Sequence, residues 1–167
     1  VYPELSVTTS FDHTNAICSG VTPVTIISEA IGGANNNWTE YEYLWSNGET
    51  THTTTVMPEV TTTYSLTITD QTGATVSISQ IVEVDPGPTA TIFPDVFIVP
   101  CEGLSPDYLN FATDAEQFEH QWFGPSITND NQFDMLIYPT VAGAYTLELT
   151  DLSTGCSNTF MANVQEI

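Results

Sequence analysis

Apolar and polar positions alternate through Tyr64-Ser65-Leu66-Thr67-Ile68-Thr69 and again through Tyr145-Thr146-Leu147-Glu148-Leu149-Thr150. A side-chain period of two belongs to a strand with one face in a core. Each run ends on an acid, Asp70 or Asp151, and a glycine follows shortly, Gly73 or Gly155. That is hairpin-turn chemistry, with Gly supplying positive φ. Residues 75–84 and 157–165 are therefore predicted to return as the last strand of each half. Earlier strands are fainter: Pro23 to Glu29 and Glu40 to Trp45 in the first half, Asp107 to Thr113 and Phe118 to Phe123 in the second. Leu5-Ser6-Val7-Thr8 reads either as an ordinary first strand, matching Ala90-Thr91-Ile92-Phe93, or as a strand that pairs with an edge of a neighbouring subunit. No stretch keeps a helical period. Short strands with turn residues at regular intervals predict an all-β fold of sandwich type.

The halves are two divergent copies of one module. Trp45, Pro58, Tyr64, Asp70 and Gly73 answer to Trp122, Pro139, Tyr145, Asp151 and Gly155. The spacing from Pro to Asp is identical in both copies, and the loop after Trp changes length. A repeat at this period implies a tandem array. Asp85-Pro86-Gly87-Pro88 is the clear linker, a short stiff joint, so the domains are expected at 1–86 and 87–167. Val1 in place of Met leads us to expect a processed product or an excerpt of a longer chain.

Charge sharpens the picture. The 167 residues include 21 acids and no Lys or Arg. Phosphate binding needs cations, so nucleic acid is excluded as a partner, and anionic membrane surfaces are disfavoured. No apolar run approaches the roughly 20 residues of a membrane span. Trypsin-like proteases find no cleavage site. The acids are spread through both halves rather than gathered in a tail. They read as a solvated surface or as sites for cation-bridged assembly.

Cys101 and Cys156 sit at the start and near the end of the second module, where a disulfide would close its sandwich. Cys18 occupies the place of Cys101, but its partner position holds Ala74. Cys18 is then a free buried thiol or part of an intermolecular bond. No catalytic set stands out. His13, His52 and His120 lack ligand spacing, and Glu40/Glu42 read as solvated strand residues. No cofactor is called for, with Ca²⁺ as the exception to weigh. It wants six to eight hard oxygens, and acids and amides gather at Asn129-Asp130-Asn131 and near Asp12, Asp85 and Asp95. Trp45 and Trp122 are expected in the cores. Trp38 lies in the polar run Gly32-Gly33-Ala34-Asn35-Asn36-Asn37-Trp38-Thr39 and is the candidate for touching a carbohydrate or a neighbouring subunit. Asn37-Trp38-Thr39 is also a glycosylation sequon.

Tyr43-Leu44-Trp45-Ser46-Asn47-Gly48-Glu49-Thr50, Pro58, Thr61-Thr62-Thr63-Tyr64 and Thr69-Asp70 resemble the PKD-like and Ig-like repeats of very large Bacteroidetes surface proteins, including gliding-motility adhesins and other type IX secretion cargo. Ala142-Gly143-Ala144-Tyr145 and Gly155-Cys156 look like a sister form. The resemblance implies two tandem Ig-like/PKD-like antiparallel β-sandwiches and a non-enzymatic role. That role is a structural repeat of an extracellular adhesin stalk or surface filament, with neighbouring copies as partners. The alternative is a carbohydrate- or surface-binding module of a secreted protein, with surface polysaccharide as partner.

Overall fold

The computed structural model describes residues 2–12, 16–34, 41–94, 97–99 and 108–166. The chain divides into two units, Val1–Pro86 and Gly87–Ile167, and each is described by itself. Among the described residues no helix is long and apolar enough to cross a membrane.

Unit 1 holds strands β1 (Ser6–Phe11), β2 (Ile17–Cys18), β3 (Val24–Ile31), β4 (Glu42–Trp45), β5 (Thr53–Val56), β6 (Thr62–Thr69), β7 (Thr75–Val82) and β8 (Val84–Asp85). One antiparallel sheet runs β1-β3-β5 and the other β4-β6-β7. A short parallel pair, β2-β8, completes the unit. The inward halves of the alternating strands meet as Val24, Ile26 and Val56 against Trp45, Leu66 and Ile68. The many threonines face outward and pair across strands: Thr25 with Thr55 at 3.1 Å, and Thr67 with Ser77 at 3.0 Å. Cross-strand hydroxyl pairs of this kind stabilise a solvated sheet face by a few tenths of a kcal/mol or more.

After β3 the chain must turn sharply beside the N-terminal segment. Gly32 and Gly33 do this at φ +83° and +64°. The Gly33 N–H donates to Pro3 O at 2.8 Å, and the Tyr41 hydroxyl donates to Gly32 O at 2.7 Å. A Cβ on Gly32 would stand 1.9 Å from the Glu4 carbonyl oxygen.

Unit 2 holds β9 (Ala90–Phe93), β10 (Phe97–Val99), β11 (Asn110–Thr113), β12 (Phe118–Phe123), β13 (Gly143–Asp151) and β14 (Ser157–Glu166). Its larger sheet runs β10-β14-β13-β12, with β10 parallel to β14. β9 and β11 form the facing ribbon, which an antiparallel bridge extends from Leu109 to Ile137. Trp122, Tyr145, Leu147 and Leu149 pack on Phe97, Leu109, Phe111 and Ile137. The Tyr145 hydroxyl donates to Val141 O at 2.9 Å and lies 2.5 Å from Ser126 Oγ. A tyrosine at the start of the penultimate strand, bonded back to the backbone a few residues upstream, is a hallmark of immunoglobulin sandwiches.

Both units share one plan. The first strand pairs in one sheet, a second short segment crosses over to run parallel to the last strand, and the two sheets enclose an indole. These are two Ig-like sandwiches in sequence. β1 pairs with β3, so Leu5-Ser6-Val7-Thr8 belongs to an ordinary first strand. Asp85, expected in the linker, lies in β8, because the apolar alternation of β7 continues through Val84.

Cys18 departs from one of its expected states. Cys18 and Cys156 are each disulfide-bonded, so Cys18 is not the free thiol foreseen. Cys101, the expected partner of Cys156, lies outside the described residues. Non-reducing peptide mapping, with a protease that does not cut at Lys or Arg, is expected to recover Cys18 and Cys156 in cross-linked peptides. A free thiol at either position would contradict this.

Candidate functional site

With no Lys or Arg in the chain, the acids find other partners. Asp70 directly follows β6, with its carboxylate folded back over the hairpin. One oxygen, Oδ1, accepts from Thr72 N at 2.8 Å, Thr72 Oγ1 at 2.7 Å and Ala74 N at 3.0 Å. The other accepts from Ala34 N at 2.8 Å, which ties the Gly32-Gly33-Ala34 turn to the far end of the other sheet. The Ala34 N–H above all, then the Thr72 hydroxyl, hold this carboxyl at about 2, below the ordinary 3.8. Asp151 repeats the arrangement in unit 2, accepting from Ser153 N at 2.7 Å and Ser153 Oγ at 2.6 Å. The Ser153 hydroxyl foremost lowers its pKa as well. Asp114 is lowered chiefly by the Thr89 N–H, 2.7 Å away. The repeated Thr-Asp turn, with Gly three residues after Asp70 and four after Asp151, is thus a structural device: backbone and hydroxyl dipoles do for these carboxylates what cations do elsewhere.

A depressed folded-state pKa contributes stability above the unfolded value that is lost as pH falls through the folded one. For Asp70 the window runs from about 4 down to about 2. Asp70→Asn should therefore be less stable than the parent at pH 7, with the gap closing between pH 4 and 2. Comparison with the variant removes the opposing gain from relief of acid–acid repulsion. Thermal melts across that range check it, and a gap independent of pH would contradict the assignment.

The residues singled out from the sequence fall in different places. Trp45 and Trp122 are core residues, as expected. The Trp45 indole N–H donates to Thr51 O at 2.9 Å, whereas Trp122 Nε1 and His120 Nε2 are buried without a hydrogen-bond partner among the described residues. Trp38, Asp95, His13 and Glu40 lie outside the described residues. Asp12 is exposed and accepts from Thr25 N at 3.1 Å. Asp85 is half-buried in β8 and Asp130 is exposed in the loop after β12. The Asn131 side-chain oxygen, counted among possible Ca²⁺ ligands, instead accepts from Thr128 N at 2.8 Å. Among the described residues no three His, Cys, Asp or Glu gather.

A site does form on the outer face of unit 2. Trp122, Leu147 and Leu149 point inward, so strand alternation turns Glu119, Gln121, Glu148 and Thr150 outward. Register places Glu119 opposite Thr150 and Gln121 opposite Glu148. The loop after β12 folds back over this array. Asn131 closes its turn on Thr128, and Gln132 O accepts from Trp122 N at 2.7 Å. The Gln121 amide donates to Gln132 Oε1 at 2.7 Å. These bonds bring Phe133, 60% exposed, to the wall of an open cleft of about 530 Å³, also lined by Glu119, His120, Gln121, Glu148 and Thr150. In unit 1 the chain passes from β4 to β5 through a shorter connection.

No protein-family profile and no characterised protein matches the sequence. Among solved structures, the chain is similar to the three N-terminal domains of the highly immunogenic outer capsid protein Hoc of bacteriophage RB49. The identity is 15%, the TM-score 0.43, and the match covers 99% of this chain and 59% of that one. It is also similar to a titin Ig tandem, with 13% identity, 100% and 98% coverage and TM-score 0.34. The fibronectin(III)-like modules of Clostridium thermocellum CbhA give 11%, 95% and 95%, and 0.32. At these values no ligand, partner or activity transfers, and the Ig-like assignment rests on strand order and register.

Sequence reading missed the cleft. Its residues are ordinary surface types, scattered over two strands and a loop. The available signal was the longer Trp-to-Pro spacing in the second copy, which marks the loop that carries Phe133.

Proposed function

We propose that this chain is a structural repeat unit of an extracellular bacterial adhesin stalk or surface filament, of the kind carried by Bacteroidetes type IX secretion, assembling end to end with neighbouring copies or modules. One observation carries the reading. The same sandwich occurs twice with its strand crossover and its Asp-anchored hairpin preserved, while the loops diverge. A spacer needs the framework and is indifferent to the loops. The half-cystines at Cys18 and Cys156 support an oxidising, extracellular setting. The role is non-enzymatic. Ca²⁺ is a candidate bridge between acidic copies, and melts in CaCl₂ against NaCl of equal ionic strength separate bridging from screening. Electron microscopy of native material tests the reading: a fibre repeating every two modules is expected, and dispersed particles would refute it.

A second reading, a carbohydrate- or surface-binding module of a secreted protein, is favoured by the cleft on β12 and β13.

A further inference from the structure

We infer that the outer face of unit 2 is a binding site for a neutral polysaccharide chain, with Phe133 as its stacking surface and Gln121, Glu148 and Thr150 as its polar floor. The inference rests on the second reading above and supplies its site and ligand class.

Four features of the cleft lead to this. First, the wall and floor differ in chemistry. An exposed aromatic ring stands beside an array of carboxylates, an amide and a hydroxyl. Sugars present that same combination: an apolar C–H face that stacks on a ring, and an equatorial belt of hydroxyls. Binding sites of small ligands generally pair an aromatic surface with a few convergent polar groups. Second, the floor is dominated by acceptors. Glu119 and Glu148 offer only lone pairs, and one of the two Gln121 amide N–H groups is already engaged with Gln132 Oε1. A complementary ligand must therefore bring donors, as hydroxyl groups do. Third, charge selects among polysaccharides. Two carboxylates in a chain without Lys or Arg repel uronates and sulfated glycans, which leaves the uncharged ones. Fourth, the site is built by a difference between two otherwise parallel modules. The loop that carries Phe133 is held by its own hydrogen bonds and by the edge of β12, so its backbone presents Phe133 at the cleft before any ligand arrives. The cleft is open to solvent rather than enclosed, which admits a ligand longer than a monosaccharide.

The test is titration calorimetry of the full chain with neutral hexasaccharides (cellohexaose, mannohexaose, xylohexaose), with oligogalacturonate, CaCl₂ and poly-lysine as competing probes. At least one neutral hexasaccharide should bind and oligogalacturonate should not. Phe133→Ala should weaken binding by about tenfold or more, and Phe133→Tyr should retain it, since either ring stacks. Glu148→Gln should weaken it by a smaller factor. Circular dichroism melts of each variant establish that the sandwich remains folded. Binding of a neutral glycan that Phe133→Ala leaves unchanged would overturn the site while leaving the binding-module reading standing. Absence of binding by every neutral glycan, or binding of Ca²⁺ or poly-lysine in their place, would overturn both.

Discussion

Gly32→Ala should destabilise unit 1 by about 3–5 kcal/mol, at the upper end of single-residue effects. Two costs add. Alanine at φ +83° enters a left-handed region that costs L-residues roughly 1–2 kcal/mol. The larger cost is steric, because the new methyl would stand 1.9 Å from the Glu4 carbonyl oxygen, which belongs to backbone and cannot swing aside. Relief requires the N-terminal segment to lift, and that breaks the Gly33–Pro3 hydrogen bond. Gly73→Ala is the internal control. Its φ is nearly the same, +82°, and nothing lies within 4 Å of the added carbon. It should show the conformational cost alone, about 1–2 kcal/mol. Urea denaturation of both variants, followed by hydrogen exchange in β3 and β6, separates the two contributions. Equal losses would mean that the close approach to Glu4 has no energetic weight.

In unit 2 the corresponding weak point is Gly124. A Cβ there would lie 2.4 Å from Cδ1 of Tyr145, whose ring is fully buried. The ring cannot retreat without leaving Val141 O and Ser126. Overpacking a dense core costs typically 1–3 kcal/mol, and a lost buried hydrogen bond about 1 kcal/mol more. Gly124→Ala is therefore expected to lose about 2–4 kcal/mol, and Tyr145→Phe about 1–2 kcal/mol. Because the two changes damage the same contact, the double variant should lose less than their sum. Full additivity in denaturant melts would show that Gly124 and Tyr145 act independently.

How far the sequence could be read depended on the range of the physics involved. β6 and β13 were legible because their alternation is local and sustained. Asp70 was legible as a turn residue from its own neighbours, but not as the anchor of the Gly32-Gly33-Ala34 segment, since that bond reaches across 36 positions of sequence. Phe133 is the plainest case. Nothing in Asn131-Gln132-Phe133-Asp134 sets Phe133 apart, and its place at the cleft emerges when the loop is laid beside β12 and β13. The length difference after Trp122 pointed to the right loop without saying what it would cover.

The parallel pairing of β2 with β8, and of β10 with β14, has a mechanical meaning. In each unit the segment near the entrance of the chain lies alongside the strand near its exit and points the same way. When a unit is pulled by its two ends, these strands slide past one another along their length. Ile17↔Val84 and Cys18↔Asp85 are then loaded together in shear rather than peeled apart one at a time. A module wired in this way resists tension more strongly than its modest core suggests.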